Sequence, residues 1–141
     1  MIIDTTGVHP KITLEEIRMA TEFFAKELMP RAWDKLYIDI NFSYLEKMHG
    51  SVERLSRYEY QIDLSKRVGR KTAITTIAHE MVHIKQMIRG ELVMKIDHNK
   101  WNGVVFAANY DYYDRPWEIE AYGREVGLSY KYFNSLGKDI K

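Results

Sequence analysis

Ile77-Ala78-His79-Glu80-Met81-Val82-His83-Ile84-Lys85-Gln86 lies inside a segment, Arg70 to Ile88, that contains neither glycine nor proline. Within it Ile74, Ile77, Ala78, Met81, Val82 and Ile88 recur at the spacing of one helical face. Gly90 follows as a natural stop. The segment therefore predicts a half-buried helix that carries an H-E-x-x-H sequence. Two histidines four apart project from the same face, one turn above the other, so their imidazole nitrogens can converge on one metal ion. Zinc suits that ligand type, and a catalytic zinc takes three protein ligands and leaves one position for water. Glu80, directly after His79, would point at that water and can serve as general base.

Two histidines leave a third ligand to find. The extended pattern H-E-x-x-H-x-x-G-x-x-H is excluded, because Gln86 and Arg89 stand where it needs Gly and His. A glutamate from a second helix is the other solution. Arg115-Pro116-Trp117-Glu118-Ile119-Glu120-Ala121-Tyr122-Gly123-Arg124-Glu125 supplies candidates. Pro116 fits a first helical turn, and acidic residues follow it where the helix dipole favours them. Glu118, Tyr122 and Glu125 share one face, while Glu120 lies well round from them. His98 is a further candidate ligand, and His9 and His49 are weaker ones; none has helical spacing to the motif.

H-E-x-x-H-x-x-Q followed by a helix reading E-x-E-A resembles the small intracellular gluzincins, among them SprT-like, ImmA/IrrE-like and phage metallopeptidases. The likeness spans about Tyr58 to Tyr132. It implies a minimal zincin-like domain whose third zinc ligand is the glutamate three residues before the alanine, here Glu118, with Glu120 as a neighbour that packs or pairs nearby. Two features depart from the pattern. The chain has no cysteine for the zinc ribbon common in SprT proteins, and Tyr122-Gly123 stands where Asn or Asp often follows the alanine. Zinc hydrolysis also benefits from a donor to the developing oxyanion. Tyr122, one turn beyond Glu118, is the candidate taken here, with Tyr110, Tyr112, Tyr113 and Arg115 as others within reach.

The rest of the chain reads as one α+β domain over residues 1–141. Thr13, with Glu16 three residues on, caps a helix whose stripe is Ile17, Ala20, Phe24 and Leu28, ending near Met29-Pro30. Tyr37 to Phe42 and Tyr58 to Leu64 alternate as half-buried strands. Leu45 to Ser56 reads as the loop between them, with Gly50 as its turn. Leu92 to Ile96 is a short strand or an extra helix, and Asn102-Gly103 marks a tight hairpin. Asn109 to Asp114 links to a helix from Pro116 to about Asn134. The expected architecture is an N-terminal helix, a small mostly antiparallel sheet, the motif helix and the ligand helix. By the resemblance, the strand Tyr58–Leu64 lies at the edge of the active-site cleft, where an edge can take up an extended peptide.

Composition narrows the function classes. Hydrophobic residues make up 45% and charged ones 29%, an ordinary globular balance. A formal net charge of +1 gives no global attraction to nucleic acid or membranes. Lys66, Arg67, Arg70 and Lys71 form a local basic group, read as a solvated turn or an anion contact. The absence of cysteine rules out disulfides and thiolate metal sites and fits a reducing compartment. The N-terminus lacks the pattern of a signal peptide, and no segment approaches a membrane span, so a cytoplasmic location is expected. The expected activity is zinc-dependent hydrolysis of a peptide or protein substrate, with zinc on His79, His83 and Glu118. The alternatives are a zinc-containing binding or regulatory module without turnover, and a zinc hydrolase of a non-peptide amide.

Overall fold

The computed structural model describes residues 1–137. Its elements are β1 (Ile2–Thr6), α1 (Leu14–Leu28), β2 (Tyr37–Ser43), β3 (Gly50–Arg54), β4 (Glu59–Ser65), α2 (Arg70–Ile88), β5 (Leu92–Met94), β6 (His98–Trp101), β7 (Val104–Ala107) and α3 (Pro116–Gly137). The class is α+β, as expected. Thr13 caps α1 by accepting from the Glu16 backbone N–H, which satisfies one orphan donor of the first turn. Ile17, Ala20, Phe24 and Leu28 are buried along one face of α1. β2 and β4 alternate as anticipated, with Ile38, Ile40 and Phe42 buried on one strand and Tyr60, Ile62 and Leu64 on the other.

The sheet that carries the helices departs from the expected antiparallel arrangement. Its order is β1-β2-β4-β3. β1 runs parallel to β2, β2 runs parallel to β4, and only β3 with β4 is antiparallel. Two strands absent from the sequence reading cause the difference. β1 joins β2 through the crossover helix α1, the connection that parallel neighbours require. The presumed loop after β2 contains β3, which turns back and pairs with the outer edge of β4, so β2 and β4 end up side by side and parallel. As a consequence β4 is an inner strand. The free edge beside the cleft belongs to β3.

The second sheet, β5-β6-β7, is antiparallel throughout. Its β6–β7 hairpin turns on Asn102 and Gly103, both at positive φ (49° and 83°), the primed geometry that an Asn-Gly pair favours. Trp101 and Phe106 from this hairpin pack against Trp117 at the start of α3 and fix the small sheet beside the site.

Helix α2 is more deeply placed than an amphipathic surface helix. It is buried from Ala73 to Met87 apart from the half-buried Thr75. Ile74, Ile77, Ala78, Met81 and Val82 join the apolar core with α1 and the sheet. On the other side Thr76, His79, Glu80, His83 and Gln86 form a buried polar stripe at i, i+3, i+4, i+7, i+10 spacing. Helix α3 lies antiparallel to α2: Gln86 meets Trp117, His83 meets Glu118, His79 meets Glu125, and Thr75 meets Ser129. Arg70 grips Glu16 on α1, and Tyr132 on α3 donates to the same carboxylate at 3.0 Å, so one acid ties the three helices together. Among the described residues no helix is long and apolar enough to cross a membrane.

Gly50 sits in a strand and not in the turn its sequence context predicts. It opens β3 in register with Leu64. A β-carbon there would lie 2.6 Å from Thr76 Cγ2 and 2.9 Å from the Asp63 carbonyl oxygen. The residue is glycine because the edge strand must approach the motif helix this closely. Gly50→Ala is expected to lower unfolding stability by about 1–3 kcal/mol, the range for overpacking. Urea denaturation checks this; a midpoint equal to wild type would contradict the close-approach account.

Candidate metal centre

His79 and His83 stand one turn apart on the polar stripe of α2, and Glu118 reaches between them from the first turn of α3. All three are buried. Glu118 Oε1 lies 3.0 Å from His79 Nε2 and 3.1 Å from His83 Nε2, and the two Nε2 atoms are 3.2 Å apart. One ligand atom from each residue falls within 4.8 Å of the others, a grouping that could hold a metal ion. Sequence spacing placed these residues on two helices; the antiparallel register of α2 and α3 makes them meet. Glu120 points elsewhere and pairs with Lys85, Gln86 and Arg124. His98 pairs with Asp97 on the small sheet, and His9 bridges the Ser65 carbonyl and the Lys11 backbone N–H. Neither joins the cluster.

The remaining nitrogen of each motif histidine has its own partner. Gln86 Oε1 lies 2.9 Å from His83 Nδ1. Glu125 Oε1 lies 3.8 Å from His79 Nδ1, at the outer limit of an ion-pair contact. The Gln86 oxygen accepts, so His83 Nδ1 carries the proton in the neutral imidazole and its Nε2 turns a lone pair inward; the Glu125 carboxylate faces His79 Nδ1 at longer range. Two imidazole nitrogens and a carboxylate oxygen thus converge in a buried space, a group that could hold a metal ion. Two nitrogens and one oxygen are ligands that zinc accepts.

Electrostatics carry the same message. Burial alone would lower the pKa of His79, but its contacts with Glu118 and Glu125, together with the nearby Glu80, raise it to about 9. His83 is likewise raised against the effect of its burial, chiefly by Glu118. Burial would raise Glu118, yet the two histidines hold it down to about 2. Without metal, protons therefore occupy the place where a cation would sit. Glu80 is raised, first by burial, although His83 and His79 oppose the shift.

The cluster opens into a cleft of about 560 Å³. Glu80 lines it, along with Gly50, Ser51 and Val52 of β3 and Leu92 and Met94 of β5. Tyr112, Tyr113, Tyr122 and Arg115 also line it. Tyr122 packs its ring edge-on against His79 with centroids 4.6 Å apart. Its hydroxyl is 3.4 Å from that of Tyr112, and Tyr112 donates to Glu118 Oε1 at 3.1 Å. Burial, then the contacts with Tyr122 and Glu118, raise the Tyr112 pKa, so this hydroxyl stays protonated and able to donate. Tyr113 stands beside both rings, whereas Tyr110 packs on Phe106 outside the cleft wall. Arg115 donates to the Tyr110 and Ala108 carbonyls and covers the Tyr112 ring, holding that loop in place. Helical spacing puts Glu125 on the Glu118 face, but the partners of Gln86 and Glu125 depend on the packing of α3 against α2 and leave no local signal in the sequence.

Compared with known protein families, with curated proteins and with solved structures, the chain shows no significant match.

The shifts set a pH profile for the metal-free fold. His79 is raised from 6.5 to about 9, so its contribution is complete below about pH 6.5 and is lost as pH rises through about 9. Glu118 is lowered from 4.5 to about 2, so its contribution is complete above about pH 4.5 and is lost as pH falls through about 2. The chelator-treated protein should therefore have a falling thermal midpoint between about pH 6.5 and 9, and added Zn²⁺ should reverse the fall by replacing the proton. Thermal scans with and without chelator test this; a metal-free midpoint that rises across that interval would contradict the assignment.

Proposed function

We propose that the chain is a zinc-dependent peptidase of the zincin type, built as a minimal gluzincin-like domain, with zinc held by His79, His83 and Glu118. The observation that carries the proposal is the joint one: a convergent His-His-Glu donor set beside a second buried carboxylate, Glu80, in one open cleft. Zinc, when bound, supplies Lewis acidity toward a carbonyl and makes water more acidic. The protein supplies the remaining chemistry. Glu80, buried at the cleft beside the two histidines, accepts a proton from the attacking water. The same carboxyl then delivers the proton to the leaving amine. Tyr122 brings a hydroxyl to the same cleft and is the proposed donor to a developing oxyanion, while the Tyr112 proton is engaged by Glu118.

The free edge of β3 supports a peptide as substrate. Gly50, Ser51 and Val52 line the cleft, and the strand's outer backbone groups are available to an extended chain. Intact Glu80 favours turnover over a zinc-holding module, since a structural zinc site has no use for a base and closes its fourth position with protein.

Glu80→Gln keeps side-chain size and removes the base. The variant should fold, retain zinc, and lose about 10²–10⁴-fold in hydrolysis of any peptide that wild type cleaves. The assay is a diverse peptide library screened with and without a zinc chelator. Chelator-sensitive cleavage that survives in the variant would rule out Glu80 as base. A zinc-loaded wild type that cleaves no peptide would favour a binding module or a non-peptide amide substrate.

A further inference from the structure

Lys85 follows the second motif histidine by two residues and is only 2% exposed. A lysine is almost never so buried unless paired. Its Nζ lies 3.0 and 2.9 Å from the two carboxylate oxygens of Glu120. Glu91 Oε1 is also 2.9 Å from Nζ, as an ion-pair contact without hydrogen-bond geometry. Glu120 Oε1 accepts in addition from Gln86 Nε2 at 2.9 Å, and the same amide donates to the Trp117 carbonyl at 3.0 Å.

Those two acceptors take both protons of the Gln86 amide, which fixes its orientation. Turning the amide over would set its oxygen against a carboxylate and a carbonyl. Gln86 Oε1 must therefore face His83 Nδ1, at 2.9 Å. An oxygen there can only accept, so Nδ1 carries the imidazole proton and Nε2 presents its lone pair to Glu118 and His79. The other tautomer would aim an N–H at the metal position.

We propose that Gln86, oriented by Glu120 and Lys85, is a positioning residue that sets the tautomer and ring direction of His83 for metal binding. The proposal rests on His79, His83 and Glu118 being the metal site. It also gives Glu120 a role distinct from ligation: it acts on the metal through Gln86. Packing alone could account for a buried Gln86, but packing would not require the effects of Glu120 and Gln86 on metal affinity to be coupled.

The experiment uses the full chain loaded with Zn²⁺ and labelled with ¹⁵N-histidine. In wild type the His83 Nδ1–H should be protected from solvent exchange. Gln86→Leu should lose that protection and bind Zn²⁺ about 10–100-fold more weakly, the range for partners of metal-bound histidines. Glu120→Ala should show a smaller loss in the same direction. The double variant should bind no more weakly than Gln86→Leu, because Glu120 acts through Gln86. Unchanged protection and affinity in Gln86→Leu, or losses that multiply in the double variant, would overturn the proposal while leaving the metal site standing. Should Gln86→Leu fail to fold, Glu120→Ala decides alone: faster exchange of the His83 Nδ1–H supports the relay, and unchanged exchange overturns it. If wild type binds no Zn²⁺, the metal site fails and the relay fails with it.

Discussion

Two imidazole nitrogens and a carboxylate oxygen meet within 4.8 Å of one another in a buried space. Such a concentration of electron density is unstable unless a cation or protons neutralise it. Against the effect of burial, Glu118 raises the pKa of His79 and the histidines lower that of Glu118, so each group favours the charge that its neighbour needs. A divalent cation would neutralise the cluster without protonating the ligands. Most of what is unusual about this small protein follows from holding these three atoms together.

The constraint accounts for the two-sided character of α2. One face packs Ile74, Ile77, Met81 and Val82 into the core, while the other buries Thr76, His79, Glu80, His83 and Gln86 toward the cleft. A buried polar stripe of this size must be supported on every side. The antiparallel α3 provides Glu118 and Glu125, and Glu120 engages Gln86 and Lys85. Glycine at position 50 lets the edge strand β3 come down on Thr76 beside Glu80. The hairpin β6–β7 braces the start of α3 through Trp101 and Phe106. Rigid elements thus surround the cluster, the arrangement that precise ligand placement requires.

Features with strong local signatures were legible in the sequence. The Thr13 cap, the alternation in β2 and β4, the Asn102-Gly103 turn and the helical spacing of the motif each depend on a few adjacent residues. Other features depend on partners far away in the chain. β1 and β3 are short and weakly patterned, and they exist because β2 and β4 offer them edges; with both strands unseen, the parallel pairing was unseen as well. Gly50 looked like a turn because contact with α2 leaves no local trace. On α3 the face shared by Glu118, Tyr122 and Glu125 was readable, but Tyr112, from the preceding loop, is the tyrosine that bonds Glu118. Gln86 gave no sign of its partners until α3 lay against it.

The proposed chemistry turns on whether His79, His83 and Glu118 hold one metal ion together. X-ray absorption at the zinc edge, on protein purified without added metal and matched to elemental analysis, tests it most directly. The expected result is about one zinc per chain, with nitrogen and oxygen neighbours at roughly 2.0–2.2 Å and more distant scattering from two imidazoles. The Glu118→Ala variant should lose an oxygen neighbour and most of its zinc. A protein that carries no zinc and takes up none when it is supplied, or one whose zinc shell is unchanged in Glu118→Ala, would contradict the account.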